Sequence, residues 1–293
     1  MFPRSKLVRL SKEDKLKRPS HWIKSASTSV LCLDVTNLLT GSKEGVNELP
    51  SLLYGCNMKI NKDIVDELVA DVQKIPKKCL HGDVIRGPQL NMGFSNFAGK
   101  NRNLLISKEL KQSILKTSSG FDVNIPTLLR CHSNKFVSKV FDSVLPILVV
   151  IDNCFKKALP QCHLLQMKAT HNEFKLDGTC FNKVMLKISP KRRDRGCKIH
   201  YDRYNYGYCA ILILLPSCTN KTAGGEQVII CNNNVYKMKC DHGDLFFGQY
   251  QHILHCVTKC TSGTRCAIVA YTSNKIVNYC KMKDVYDNIF NKV

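Results

Sequence analysis

The stretch GDLFFGQYQHILHCVTKCTSGTRCAIVAYT, residues 243–272, decides the fold by how it divides into elements. GDLFFG (243–248), ILHCVTK (253–259) and RCAIVAYT (265–272) are short runs rich in β-branched and aromatic residues. Polar or Gly-bearing turns separate them, among them TSGTR (261–265). Each run is too short for an amphipathic helix and fits a buried strand. The same texture extends towards the N-terminus through NVYKMKC (234–240), EQVIICN (226–232), YCAILILL (208–215) and CFNKVMLKIS (180–189), with CNNNVY (231–236) as a hairpin turn. Many closely spaced strands predict a β-sandwich or barrel.

Before Pro160 the pattern is different. Apolar residues at helical spacing predict a helix over 61–75, with Asp63 near its cap, and a second over 106–116 capped by Ser107. The longest candidate is 134–158, which Pro146 is expected to kink or split. The expected architecture is α+β: a basic, poorly ordered arm (1–28), a mainly helical support (29–160) and a β core (161–293), with the helices packed on one sheet.

Among the 293 residues, 44 Lys and Arg stand against 23 Asp and Glu, a net charge of +21. A surplus that large points to a polyanionic partner, nucleic acid first, with simple solubility as the competing account. The 16 cysteines are scattered, no CxxC pair occurs, and the N-terminal segment has eight basic residues and no apolar core of a signal peptide. Reduced cysteines and an intracellular protein are expected, nuclear in a eukaryote. The longest apolar run, VLPILVVI (144–151), is too short to span a bilayer. Neither a membrane nor an obligate protein partner is expected.

The chemistry concentrates in CKIHYDRYNYG (197–207). His200 and Asp202 at i and i+2 of an extended segment share one face. Two histidines and a carboxylate on one face hold non-haem Fe(II) with positions left open. His252 and His255 both offer the third ligand. Arg265, ten residues after His255 across a Ser-Gly turn, selects His255: an Fe(II) enzyme using 2-oxoglutarate needs a cation deep in its pocket for the far carboxylate. A hairpin is expected to carry ligand and Arg on neighbouring strands. HxD alone is common by chance; the order HxD, Gly-Asp-aromatic, His, Arg is much less so.

At these residues the sequence resembles the 2-oxoglutarate/Fe(II) dioxygenases, and within them the TET/JBP group that oxidises the methyl of 5-methylcytosine or thymine. The resemblance covers about residues 180–273. It implies a double-stranded β-helix (jelly-roll) core, with Fe(II), 2-oxoglutarate and O₂ as cofactor and cosubstrates. It also implies Fe(II) roles for His200, Asp202 and His255, and cosubstrate roles for Arg265, Ser262 and Arg195. Asn205 matches a residue that reads the base edge, and Tyr271 an aromatic that stacks on the flipped base. Ser273 stands where the group often has a base-binding His, which leaves thymine, another modified base or a different substrate open beside 5-methylcytosine.

Six basic residues crowd the motif in SPKRRDRGCKIHYDR (189–203). Lys191, Arg192 and Arg193 are expected to hold phosphates at the pocket mouth, where a base must be flipped out of DNA to bring its methyl to iron. A solvated loop is the bland alternative. Tyr201, Tyr204, Tyr206 and Tyr208 can stack or simply follow strand propensity. Competing functions are a prolyl-type protein hydroxylase, an RNA-directed base oxygenase, a metal-free nucleic-acid-binding scaffold and a cupin-like metalloprotein.

Overall fold

Strands β6 (Asn205–Leu214) and β13 (Thr264–Ser273) lie side by side at the centre of a seven-stranded sheet. In the computed structural model the described residues are 7–9, 52–80, 88–95, 126–129, 132, 134–190, 196–219, 223–231 and 234–290. The sheet order is β2 (Leu52–Asn57), β10 (Asp244–Gly248), β6, β13, β5 (Lys183–Pro190), β3 (Gln89–Ser95) and β4 (Thr127–Leu128). Every neighbouring pair is antiparallel. A second sheet runs β1 (Leu7–Arg9), β9 (Asn234–Met238), β8 (Gln227–Cys231), β11 (Leu254–Val257), and β7 (Ala223–Gly224) pairs with β12 (Cys260–Ser262).

Side-chain alternation gives the central strands two different tasks. On β13, Cys266, Ile268 and Ala270 join the cluster that includes the helices, whereas Ala267 joins Ile229, Tyr236 and Met238 of the second sheet. Both faces of the large sheet are therefore covered, one by helices and one by a facing sheet. This is the double-stranded β-helix with helices on one sheet.

Helix α1 (Lys62–Lys74) is capped by Asn61, whose side chain accepts from the Asp63 N–H at 3.0 Å. Helix α2 (Lys135–Ala158) is capped by Asn134, which accepts from Phe136 and Val137. Pro146 does not split α2. An interior proline costs about 3 kcal/mol, but Val140, Val144, Ile147, Leu148 and Ile151 are buried on both sides of it. Each such side chain contributes about 1.5–3 kcal/mol, so the stripe outweighs the break. Phe155 anchors the far end, with its ring centroid 5.2 Å from that of Phe247 on β10 and 5.7 Å from that of Tyr208 on β6.

The chain turns at Leu159 into α3 (Pro160–Lys168) and ends in α4 (Asn274–Phe290). Within the expected support 29–160, the described residues include β2, β3 and β4, which join the main sheet. Leu7–Arg9, within the expected arm, pairs with Tyr236–Met238. The predicted helix over 106–116 lies outside the described residues.

Two buried polar groups fasten helices to the sheet. Gln166 of α3 donates to the Tyr208 carbonyl and to Thr272 Oγ1, and accepts from the Tyr208 N–H. Asp152 of α2 bonds His163 at 2.8 Å and accepts from the Cys180 N–H at 2.8 Å. The carboxylate, imidazole and thiol of Asp152, His163 and Cys180 have metal-ligand spacing, yet the carboxylate is already occupied by these bonds. The cysteines whose side chains are described are free. Among the described residues, no helix is long and apolar enough to cross a membrane.

Candidate metal centre

The segment between β5 and β6 runs against β11. At Gly196, φ is +72° and a Cβ would lie 2.4 Å from the Val257 carbonyl oxygen, so only glycine permits that approach. Cys197 N–H then donates to Val257 O at 2.9 Å. His200 and His255 exchange both backbone hydrogen bonds, at 2.9 and 3.1 Å, as an isolated antiparallel bridge. The HYD motif is thus not a full strand: only His200 is paired, and β6 begins at Asn205. Beyond the bridge, Asp202 N–H donates to Tyr250 O and Asn205 N–H to Asp202 O, each at 3.0 Å. These bonds turn the Asp202 carboxylate back towards both imidazoles.

Nε2 of His200 lies 3.3 Å from Asp202 Oδ1, and Nε2 of His255 lies 3.9 Å from Asp202 Oδ2. One ligand atom from each residue falls within 4.8 Å of the others. Both histidines have Nδ1 tied to a backbone carbonyl, His200 to Lys198 at 2.7 Å and His255 to Ile253 at 2.9 Å. With Nδ1–H donating, each Nε2 lone pair faces its neighbours, the orientation metal-bound histidines need. Two imidazoles and a carboxylate converging with room beside them fit Fe(II). Hydrogen bonds that His200 makes to Asp202 and then with Cys197 raise its pKa to about 10, while burial lowers that of His255.

Asn205 is buried, and its Nδ2 donates to Asp202 Oδ2 at 3.1 Å and to Cys209 Sγ at 2.9 Å. The side chain expected to read a base edge thus also holds the carboxylate. Asn205→Ala is expected to weaken divalent-metal affinity about 10–100-fold, the usual effect of losing such an outer partner. A metal titration showing unchanged affinity would remove this role.

A cavity of about 370 Å³ adjoins the three ligands, and Arg265, Lys187 and Gln227 also line it. Its volume suits a small molecule. Arg265 is only 4% exposed, and its Nε has no hydrogen-bond partner. Its stem passes Gly225, where φ is +72° and a Cβ would lie 2.9 Å from Arg265 Cδ. His255 and Arg265 are not hairpin neighbours: β11 pairs with β8, whereas β13 pairs with β5 and β6. They face each other from opposite sheets.

Among the described residues no carboxylate forms an ion pair with the buried Arg265. Buried charge of one sign calls for a counter-charge. The donor set therefore fits a small anion such as the carboxylate of 2-oxoglutarate. Burial alone would push the Cys197 thiol up, but the bond and charge of His200, with Lys187, hold it below its ordinary value.

Ser262 sits on β12, where its Oγ accepts from the Ala223 N–H at 2.9 Å, and it does not line the cavity. Tyr271 packs against the cluster between the sheets, and burial pushes its phenol up. Its ring faces the interior of the fold. Lys191, Arg192, Arg193 and Arg195 lie outside the described residues. His252 is exposed and not part of the ligand trio, lining a second cavity with Gln249 and Gln251.

Lys187, Gln227 and Gly225 escaped the sequence reading. Their signal was a polar or glycine residue set inside an apolar strand run, as in KVMLKIS and GGEQVIIC.

No family model matches the chain, and no curated protein matches it. Among solved structures it is similar to NgTET1 in complex with 5mC DNA, with a TM-score of 0.52 at 14% identity over 77% of this chain and 73% of that one. A Pseudomonas putida prolyl-4-hydroxylase aligns with a TM-score of 0.37 at 11% identity, over 76% of this chain and 92% of that one. A Burkholderia pseudomallei oxidoreductase of the 2OG-Fe(II) oxygenase family aligns at 0.34 and 13%, over 72% and 77%. The likeness to NgTET1 establishes the fold, a double-stranded β-helix.

Proposed function

We propose that this protein is an Fe(II)- and 2-oxoglutarate-dependent dioxygenase that oxidises the methyl group of a flipped pyrimidine in DNA, 5-methylcytosine first and thymine second. One observation carries the reading: two imidazoles and a carboxylate converge beside a cavity that also contains a buried guanidinium without an acidic partner. His200, Asp202 and His255 hold the metal through Nε2, a carboxylate oxygen and Nε2. Asn205 keeps the carboxylate turned inward, and the two Nδ1–carbonyl bonds fix the rings. Arg265 pairs with the far carboxylate of 2-oxoglutarate, shielded from water by apolar Met185, Ile211 and Val269 on the cavity wall. Iron with 2-oxoglutarate and O₂ supplies the oxidation, converting 2-oxoglutarate to succinate and CO₂.

The substrate class rests on charge and aromatic surface. Flipping a base costs about a few kcal/mol, and stacking on an aromatic ring returns about 1–3 kcal/mol. Tyr201 and Tyr204, which flank Asp202, are 42% and 67% exposed, and Lys275 Nζ lies 5.0 Å from the Tyr204 ring centroid. With a net charge of +21 and the basic run 189–203, this surface suits phosphates and a splayed base better than a neutral peptide. NgTET1, which shares the fold, is itself solved with 5mC DNA.

The test is incubation of methylated and unmethylated DNA duplexes, methylated RNA and a proline-rich peptide with Fe(II), ascorbate and 2-oxoglutarate, read by mass spectrometry. Hydroxymethyl base in DNA is the expected product. Hydroxyproline with no modified base would assign the chain to the prolyl hydroxylases instead.

A further inference from the structure

Three polar atoms are sealed from water and lack a hydrogen-bond partner: Arg265 Nε and Gln227 Oε1, whose residues line the large cavity, and Ser189 Oγ, whose residue pairs with Arg265. Ser189 and Gln227 are each 1% exposed. A buried polar atom left unpaired costs about 1–3 kcal/mol, so three in one place mark a missing partner.

Their positions converge. Ser189 on β5 is the direct cross-strand partner of Arg265 on β13, and paired residues in an antiparallel ladder project to the same face with Cβ atoms about 5 Å apart. Gln227 comes from the opposite sheet, two residues beyond Gly225, the position that the Arg265 stem passes. Gln227 and Arg265 both line the large cavity. The Gln227 amide Nε2 is placed donating to the fully buried Tyr250 hydroxyl at 2.7 Å.

The amide orientation follows from what each atom can do. An amide nitrogen and oxygen are interchangeable in shape, and the hydrogen-bond network assigns them. With Oε1 accepting from the Tyr250 O–H, the Nε2 group is freed to donate into the cavity. A carboxylate offers only acceptors, so in its presence this orientation satisfies both halves of the amide. The Ser189 hydroxyl is likewise a donor that can rotate onto an oxygen.

We infer that Gln227 and Ser189 are cosubstrate-binding residues that, with Arg265, enclose the far carboxylate of the 2-oxo acid. This rests on the dioxygenase reading and deepens it.

The test is calorimetric binding, without oxygen, to the Mn²⁺-loaded full chain. The probes are 2-oxoglutarate and 2-oxobutyrate, which lacks the far carboxylate. Gln227→Met, close in volume, and Ser189→Ala, which removes one atom, are each expected to weaken 2-oxoglutarate about 10-fold, the effect of one hydrogen bond to a charged group. Both should leave 2-oxobutyrate binding unchanged. Unaltered 2-oxoglutarate affinity in Ser189→Ala and Gln227→Met, or equal losses for both acids, would overturn the assignment. Should Gln227→Met fail to fold, Ser189→Ala alone decides the outcome in the same way. Failure of the unmutated protein to bind 2-oxoglutarate would instead reject the underlying dioxygenase reading.

Discussion

Asp202→Ala is expected to abolish succinate formation and to lower divalent-metal affinity by more than the ~100-fold that loss of an outer partner produces. Asp202 supplies the only carboxylate of the ligand trio, and without it two neutral imidazoles must hold a dication. The side chain is 30% exposed, so its removal leaves no cavity in the core, and the melting temperature should barely move. A variant with full turnover would remove the assigned triad; one that fails to fold would show that Asp202 supports the structure instead. The same carboxylate accounts for a pH effect. In the metal-free protein it holds a proton on His200 up to about pH 10, and metal must displace that proton. Metal affinity should therefore rise with pH from the ordinary histidine range towards 10, as metal titrations at several pH values would reveal. In Asp202→Ala the rise should end at lower pH.

Arg265→Met is expected to move two observables in opposite directions. Losing one partner of a buried charge pair costs 2–5 kcal/mol, so 2-oxoglutarate affinity should fall about 30-fold to several thousand-fold. The apo protein, by contrast, should be as stable as before or more so, because a buried cation without an acidic partner is replaced by an apolar side chain of similar length. Calorimetry and thermal melting check the two halves. Arg265→Lys should recover part of the affinity, since an ammonium supplies charge but not the paired N–H geometry. An apo protein destabilised by Arg265→Met, with cosubstrate binding intact, would make the residue structural and place the anchor elsewhere.

How much of this was legible before folding depends on the range of the interaction. The strands of 180–272 were readable because short apolar runs between turn residues leave few alternatives. Helix α2 was readable from its stripe, but its passage through Pro146 was not. That outcome depends on how tightly Val144, Ile147 and Leu148 are buried by a sheet whose strands lie far away in sequence. Helix α4 escaped notice inside a segment read as β core. The HxD pair and Arg265 stood out because their chemistry is unusual, and the spacing to Arg265 favoured His255 over His252.

Residue types and local spacing alone specified short strands, an extended imidazole–carboxylate pair and a late arginine in a strongly basic chain. Tertiary structure alone decided which sheet each strand joined, and hence that His255 and Arg265 face each other from opposite walls. It also set the Asn205 amide against the Asp202 carboxylate, and brought Gln227 and Ser189 to the arginine. The reason is that β5, β8 and β13 carry buried residues on both faces. Alternation then no longer tells which face borders the helices and which borders the cavity, and only the pairing of distant strands settles it.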